Sequence, residues 1–186
     1  GLQGPDRDHP KAAACAKHFA VHSGPEALRH EFDAKVSRHD LYDTYLYAFK
    51  RCVKDAGVEA VMGAYNRVNG EPACGSRTLL KNILRDEFGF EGHVVSDCWA
   101  ISDFYNKGAH ETDPDKQHAS AKAVLSGTDI ECGDSYGSLP EAVKEGLIDE
   151  KQIDISLKRL MKARFELGEM DEPSQVSWAQ IPYSVV

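Results

Sequence analysis

The residue best placed for chemistry is Asp97, which follows the apolar pair Val94 and Val95 and precedes Cys98 and Trp99. A carboxylate at the mouth of a buried strand is costly unless it is paired or used. An aromatic ring beside a carboxylate suits a sugar site, since the apolar faces of sugars pack on rings. The alternative is a strand-end Asp that caps the next helix, and position alone favours that alternative.

A second candidate group is the adjacent pair Lys17 and His18, at the end of another apolar run. Both side chains can donate hydrogen bonds to sugar hydroxyls, and His22, Arg29 and His30 add basic groups in the following loop. The alternative is a lysine that snorkels from a strand edge and a structural histidine. No H-x-H or H-E-x-x-H spacing occurs, so we predict no metal site.

Several function classes are excluded by what the sequence lacks. A formal net charge of −8 argues against a nucleic-acid partner. No apolar run approaches the roughly 20 residues of a membrane span, so we predict no membrane span. No G-x-G-x-x-G, P-loop or G-x-S-x-G motif is present, and no cofactor is predicted. The 5 cysteines form no Cys-x-x-Cys pair, which removes a zinc ribbon.

The chain alternates short apolar runs with helical stretches. Strands are predicted near Ala13–Ala20, Ala60–Tyr65, His93–Cys98 and Thr128–Cys132. Helices are predicted from about Asp40 to Asp55, from an N-cap at Thr78 to Gly89, from Lys116 to Ser126, from Pro140, and from about Glu150 to Leu167.

This alternation predicts an α/β fold, with parallel strands joined by crossover helices. Polar residues end each run, where either an open doubly wound sheet or a (β/α)8 TIM barrel keeps its site. Adjacent strands in chain order would favour the barrel. A full barrel needs about 250 residues, so the barrel interpretation requires an incomplete one, roughly the last half.

Four motifs stand together in the order seen in family 3 glycoside hydrolases, and the chain resembles their β-xylosidase and β-glucosidase branch over almost its whole length. The resemblance implies that residues 1–168 are part of the catalytic barrel and residues 169–186 a linker toward a missing second domain. The motifs are AKHFAVHSGPE from Ala16, VMGAYNRVNGEPAC from Val61, LLKNILRDEFGFEGHVVSDC from Leu79 and GTDIECG from Gly127.

The resemblance implies roles for particular residues. Asp97, in Ser96-Asp97-Cys98, matches the family's nucleophile. The sugar-binding candidates are Lys17, His18, Met62, Tyr65, Trp99 and Glu131. Many relatives carry Trp directly after the nucleophile, whereas in this chain Cys98 intervenes and Trp99 follows it.

The implied reaction is retaining hydrolysis of a terminal β-linked sugar, as in polysaccharide degradation. It needs a second carboxyl about 5 Å from the nucleophile as acid/base. The resemblance implies that this residue and the early barrel strands lie outside the chain, in a parent enzyme of the periplasm or the secreted fraction. We therefore expect the isolated chain to be inactive and to self-associate through open sheet edges.

Alternatives remain at this stage. The N-acetylglucosaminidase branch uses an Asp-Ser-His segment, but Leu28-Arg29-His30 stands at the comparable place without the Asp. Two further hypotheses are a noncatalytic carbohydrate-binding or interaction module and an unrelated open-sheet protein. The sequence does not choose among xylose, glucose and arabinose. Cys98 and Cys132 end neighbouring predicted strands, which suits either a disulfide or a free pair.

Overall fold

A parallel three-stranded sheet forms the centre of the computed structural model, which describes residues 1–185. Its strands are β1 (Cys15–Phe19), β3 (Ala60–Gly63) and β6 (His93–Ser96), adjacent in the order β1-β3-β6. Neighbours along the chain are therefore neighbours in the sheet. This order is that of a barrel segment and lacks the reversal of a doubly wound sheet, which confirms the α/β barrel prediction.

The fourth predicted strand, Thr128–Cys132, is wrong in extent, because only a single parallel bridge joins Val95 to Ile130. Ser96 donates its N–H to the Ile130 carbonyl at 3.0 Å, which keeps this segment beside β6. The ladder stops there because the N–H of Cys132 bonds the Ser96 hydroxyl, 3.1 Å away, instead of a backbone carbonyl.

A second small sheet, which the sequence analysis missed, lies in the loops. It contains β2 (Asp33–Ala34), β4 (Arg67–Val68) and β5 (Glu71–Pro72). The hairpin between β4 and β5 turns at Asn69 and Gly70, whose φ angles of 51° and 95° suit a type I′ turn. Strands of two residues have too little alternation for a pattern to reveal them.

Within residues 1–185, five helices of six or more residues connect or cover the strands, the one at Thr78–Glu87 being of π type, and their positions largely match the prediction. They are α1 (Tyr47–Lys54), α2 (Thr78–Glu87), α3 (Lys116–Ser126), α4 (Leu139–Lys144) and α5 (Glu150–Glu166). A turn at Arg38–Asp40 and a wide π-type segment at Leu41–Tyr45 lead into α1. The predicted N-cap Thr78 is wrong, because the Ser76 hydroxyl accepts the N–H of Leu79 at 3.1 Å.

The main core lies between the sheet and helices α1 and α2. Phe19, Val61 and Val94 are fully buried, one from each strand, and pack with Leu80 and Leu84 of α2. A second cluster joins Cys74, Ile101 and Phe104 to the alanines of α3. Apolar burial of this kind supplies the main stabilisation of the sheet edge that carries the candidate residues.

The segment after Gly168 consists of short, exposed turns. It returns to the start of the chain, where the Trp178 indole N–H donates to the His9 carbonyl at 3.0 Å. The assignment of residues 169–186 as a linker stays a prediction. No helix within residues 1–185 is both long and apolar enough to cross a membrane.

Candidate active site

The C-terminal edge of the central sheet brings Asp97 and His18 together. His18 lies within β1, Asp97 directly follows β6, and the Asp97 N–H donates to the Gly63 carbonyl of β3 at 3.0 Å. His18 Nε2 is 3.4 Å from Asp97 Oδ2. Their side chains are 26% and 14% exposed, so both are largely buried yet reachable from one side.

The two oxygens of Asp97 have different surroundings. Oδ1 accepts the N–H of Cys98 at 2.8 Å, which fixes the plane of the carboxylate. Oδ2 faces His18, whose Nε2 lies 3.4 Å away in a contact that is not a hydrogen bond. A carboxylate with one oxygen held and one oxygen available is arranged to attack an electrophilic carbon.

His18 is shifted toward its neutral form. Burial lowers its pKa most, the negative charge of Asp97 opposes that effect, and His22 and Lys17 lower the pKa further. The ring of His22 lies beside it in a tilted arrangement, with 4.8 Å between the two ring centroids. Neutral imidazole can donate one hydrogen bond and accept another, as recognition of a sugar hydroxyl requires.

Tyr65 follows β3 and borders the same edge. Its hydroxyl donates to the Cys98 carbonyl at 2.7 Å, so it braces the residue after Asp97. Burial raises the pKa of Tyr65, and the charge of Asp97 raises it further. The phenol therefore stays protonated and remains a donor beside the carboxylate.

Met62 and Lys17 lie on the same edge with fewer defined contacts. Met62 is half-buried and pairs in register with Val95 of β6. Lys17 is exposed, and a cleft of about 290 Å³ extends over it, His18 and His22. A larger cleft of about 530 Å³ lies elsewhere, bordered by residues 1–7, and contains none of the candidate residues.

A disulfide joins Cys98 to Cys132, with their Cα atoms 4.3 Å apart. It connects the loop after Asp97 to the loop after Ile130. Of the two states that the sequence allowed for these cysteines, a disulfide or a free pair, the structure has the disulfide. The Trp99 N–H donates to the Cys132 carbonyl at 2.6 Å, a second tie between these loops. The position of the chain directly after Asp97 is therefore fixed twice.

The model of the glycosyl hydrolase family 3 N-terminal domain matches residues 1–163. The chain belongs to glycosyl hydrolase family 3. The resemblance stated from its motifs is thereby confirmed.

This family 3 chain is similar in sequence to proteins described as β-xylosidases. It is 55% identical to a xylan 1,4-beta-xylosidase of Xylanibacter ruminicola, over 100% of the chain and 22% of that protein. It is 37% identical to beta-D-xylosidase 1 of Arabidopsis thaliana, over 92% of the chain and 22% of that protein. The chain thus spans about a quarter or less of the length of these relatives.

Solved structures agree on the fold. A family 3 exo-beta-xylosidase in complex with a xylobiose aziridine probe superposes with a TM-score of 0.92 at 32% identity, covering 98% of this chain and 24% of that one. A β-glucosidase from Erythrobacter marinus superposes with a TM-score of 0.85 at 28% identity, covering 96% and 24%.

Two further sequence candidates, Glu131 and Trp99, have side chains with no hydrogen bond to Asp97, His18 or Tyr65 among those found in residues 1–185. In this family 3 chain Glu131 Oε2 accepts the N–H of Tyr136 at 2.6 Å. Trp99 has a φ angle of 67°, and the residue is 55% exposed. Its ring is accessible, and a ring that remains accessible can accept the face of a sugar.

Asp103 is a buried, paired carboxylate that sequence reasoning did not single out. Its side chain is 8% exposed, and its Oδ2 lies 2.8 Å from Nδ1 of His30. The sequence named His30 only as a basic loop residue, and 73 positions separate the two. No local spacing signals such a pair. Within residues 1–185 no cluster of three His, Cys, Asp or Glu side chains is arranged as metal ligands.

Proposed function

We propose that this chain is the part of a retaining exo-β-xylosidase that carries the nucleophile, Asp97. The observation that supports this most is the geometry of Asp97 at the strand edge, with Oδ1 held by Cys98 and Oδ2 open 3.4 Å from His18. Family 3 membership and the xylosidase names of its relatives support the same reaction class.

The proposed first step is attack of Asp97 Oδ2 on the anomeric carbon of a β-xyloside. The bond from that carbon to the glycosidic oxygen breaks, and the leaving oxygen takes a proton from a general acid. A xylosyl ester of Asp97 results. Water, deprotonated by the same group acting as base, then attacks the anomeric carbon and restores the free carboxylate with net retention.

The acid/base is proposed to come from the rest of the enzyme. The carboxylate of Glu131 already accepts a hydrogen bond from the Tyr136 N–H, and no hydrogen bond found within residues 1–185 joins it to Asp97. His30 also does not suit the role. Arg29 Nε can only donate, so His30 Nε2 must accept from it at 3.1 Å, and the Nδ1 proton is directed to Asp103.

Sugar contacts are proposed for the remaining candidates. Lys17 and neutral His18 donate to hydroxyls of the reacting sugar, Tyr65 borders it, and Met62 provides an apolar wall. Trp99, accessible beside the disulfide, is proposed to pack on a sugar face. Xylose is the proposed sugar because the named relatives at 55% and 37% identity are xylosidases.

A burst experiment tests this proposal on the chain itself. A 2-deoxy-2-fluoro-β-xyloside with a dinitrophenyl leaving group needs no acid to depart, so the missing acid/base does not prevent the first step. We expect one equivalent of dinitrophenolate per active chain. Asp97→Asn should abolish the burst, whereas Asp86→Asn, a change of an exposed aspartate on α2, should leave it intact. Xyloside binding without a burst would instead favour a noncatalytic binding module.

A further inference from the structure

We propose that Asp103 and His30 are positioning residues that hold the Arg29 guanidinium over the Tyr65 ring, where it donates to a sugar hydroxyl. Three loops meet in this arrangement: Arg29 and His30 follow β1, Tyr65 follows β3, and Asp103 follows β6. The inference rests on the proposed function, since it assigns part of the sugar site.

The first link is the buried carboxylate of Asp103. Its backbone neighbours Ser102 and Phe104 are buried, and its own side chain is 8% exposed. Burial raises its pKa, and the hydrogen bond to His30 opposes that rise. A buried carboxylate needs such a partner. His30 is the partner that the structure supplies, at 2.8 Å.

The second link is the proton position on His30. Arg29 Nε carries a hydrogen and cannot accept, so the 3.1 Å contact requires His30 Nε2 to be the acceptor. The ring proton therefore resides on Nδ1 and points at Asp103. Asp103 thus selects the tautomer that lets His30 hold Arg29.

The third link is the orientation of Arg29. Nε is bound to His30, Nη1 donates to Glu26 at 2.7 Å, and the guanidinium carbon lies 5.2 Å from the Tyr65 ring centroid. Stacking on an aromatic face is a favoured arrangement for guanidinium. Nη2 has no hydrogen-bond partner in the part of the chain that the structure describes.

The ring of Tyr65 connects this arrangement to the reacting centre. The His30 ring contacts it edge-on at 4.7 Å, and its hydroxyl braces the Cys98 carbonyl next to Asp97. The free Nη2 donor is therefore held at the rim of the site. A flexible arginine would lose side-chain entropy on binding, whereas this one is already ordered.

The tautomer gives a test that does not depend on activity. In ¹⁵N-histidine NMR of the chain, His30 should show a protonated Nδ1 and an unprotonated Nε2 at neutral pH. Asp103→Ala should lose that preference, whereas Asp103→Asn, which keeps a side-chain oxygen, should retain it. A protonated Nε2 in the unaltered chain would overturn the proposal.

Binding of xylobiose, measured by titration calorimetry, tests the consequence. Asp103→Ala and Arg29→Lys should each weaken binding roughly tenfold. The double variant should weaken it no further, because the two residues act through one another. Asp113→Ala, which breaks the Lys122 pair in the same loop, is the matched control and should stay within twofold.

Additive losses, or Asp103→Ala binding like the unaltered chain, would contradict the inference. Failure of the proposed function is distinguishable. In that case the burst is absent from the unaltered chain, while the tautomer and the coupling in xylobiose binding can still be measured.

Discussion

His18 Nε2 lies 3.4 Å from Asp97 Oδ2, although β3 separates their strands in the sheet. Two residues 79 positions apart in number are thus brought together only by parallel pairing of three strands. Because burial lowers the pKa of His18, the contact at neutral pH is between an imidazole and a carboxylate, not an ion pair. The imidazole therefore leaves the charge of Asp97, the proposed nucleophile, unneutralised.

Acid should destabilise the fold through His110. Burial lowers its pKa from 6.5 to about 4, so between those values the unfolded chain binds a proton that the folded chain does not. The free energy of unfolding is therefore unaffected by His110 above pH 6.5, and it falls by about 3 kcal/mol as the pH drops toward 4 and below. Urea unfolding across this range should show a flatter pH dependence for His110→Phe. Exposed His39→Gln is the control, and an equal flattening there would refute the assignment.

Asp129 should be the most costly single carboxylate to remove. Its fully buried side chain accepts from Arg85 at 2.6 Å, from Arg159 at 2.9 Å and from the Val94 N–H at 2.9 Å. Asp129→Ala leaves the Arg85 charge buried and unpaired, a loss of about 3–5 kcal/mol in the free energy of unfolding. Asp55→Ala, from the exposed pair with Arg51, should cost about 1 kcal/mol or less. Equal losses in the free energy of unfolding for the two variants, measured by chemical denaturation, would contradict this prediction.

The disulfide should stabilise both the fold and the loop after Asp97. The bridge closes a loop with a sequence separation of 34, for which the chain-entropy model gives about 3 to 4 kcal/mol. The Cys98→Ser, Cys132→Ser double variant should lower the midpoint of thermal unfolding and weaken xylobiose binding. Cys52→Ser, a free and half-buried cysteine, should do neither. Unchanged sugar affinity in the double variant would separate the bridge from the site.

The isolated chain should self-associate and turn over very slowly. Within residues 1–185, β1 has a strand partner on one side only, which leaves a row of backbone groups open to pairing. Sedimentation at micromolar concentration should therefore show species larger than a monomer. Nitrophenyl β-xyloside hydrolysis should be lower by the roughly 10² to 10⁴-fold that general acid/base assistance provides. A stable monomer, or Asp97-dependent turnover at ordinary enzyme rates, would contradict these expectations.

Much of the fold was predictable because it rests on local patterns. Apolar runs ending in polar residues located β1, β3 and β6, and amphipathic spacing located the helices. The fourth strand was overestimated, because the Ser96 hydroxyl takes the hydrogen bond that would have extended the ladder. That substitution of a side chain for a backbone partner has no signature in hydrophobicity.

The residues of the candidate site that the sequence could bring together are those at or near the end of a strand. Asp97, His18 and Tyr65 lie there, and the sheet brings them to one edge. Asp103 pairs with His30, which is 73 positions away in the sequence. Asp129 pairs with Arg85 and Arg159, which are 44 and 30 positions away. Only the folded chain shows such pairs, since neither spacing nor residue type links them beforehand.

The most direct test of the central claim is to locate the ester formed by the 2-fluoroxyloside. The chain is incubated with the reagent, digested with a protease at low pH and sequenced by tandem mass spectrometry. We expect the fluoroxylosyl group on the peptide containing Asp97, attached to that side chain, and no modification in Asp97→Asn. An ester on Glu131, on Asp103 or on any other carboxylate, with Asp97 unmodified, would contradict the account.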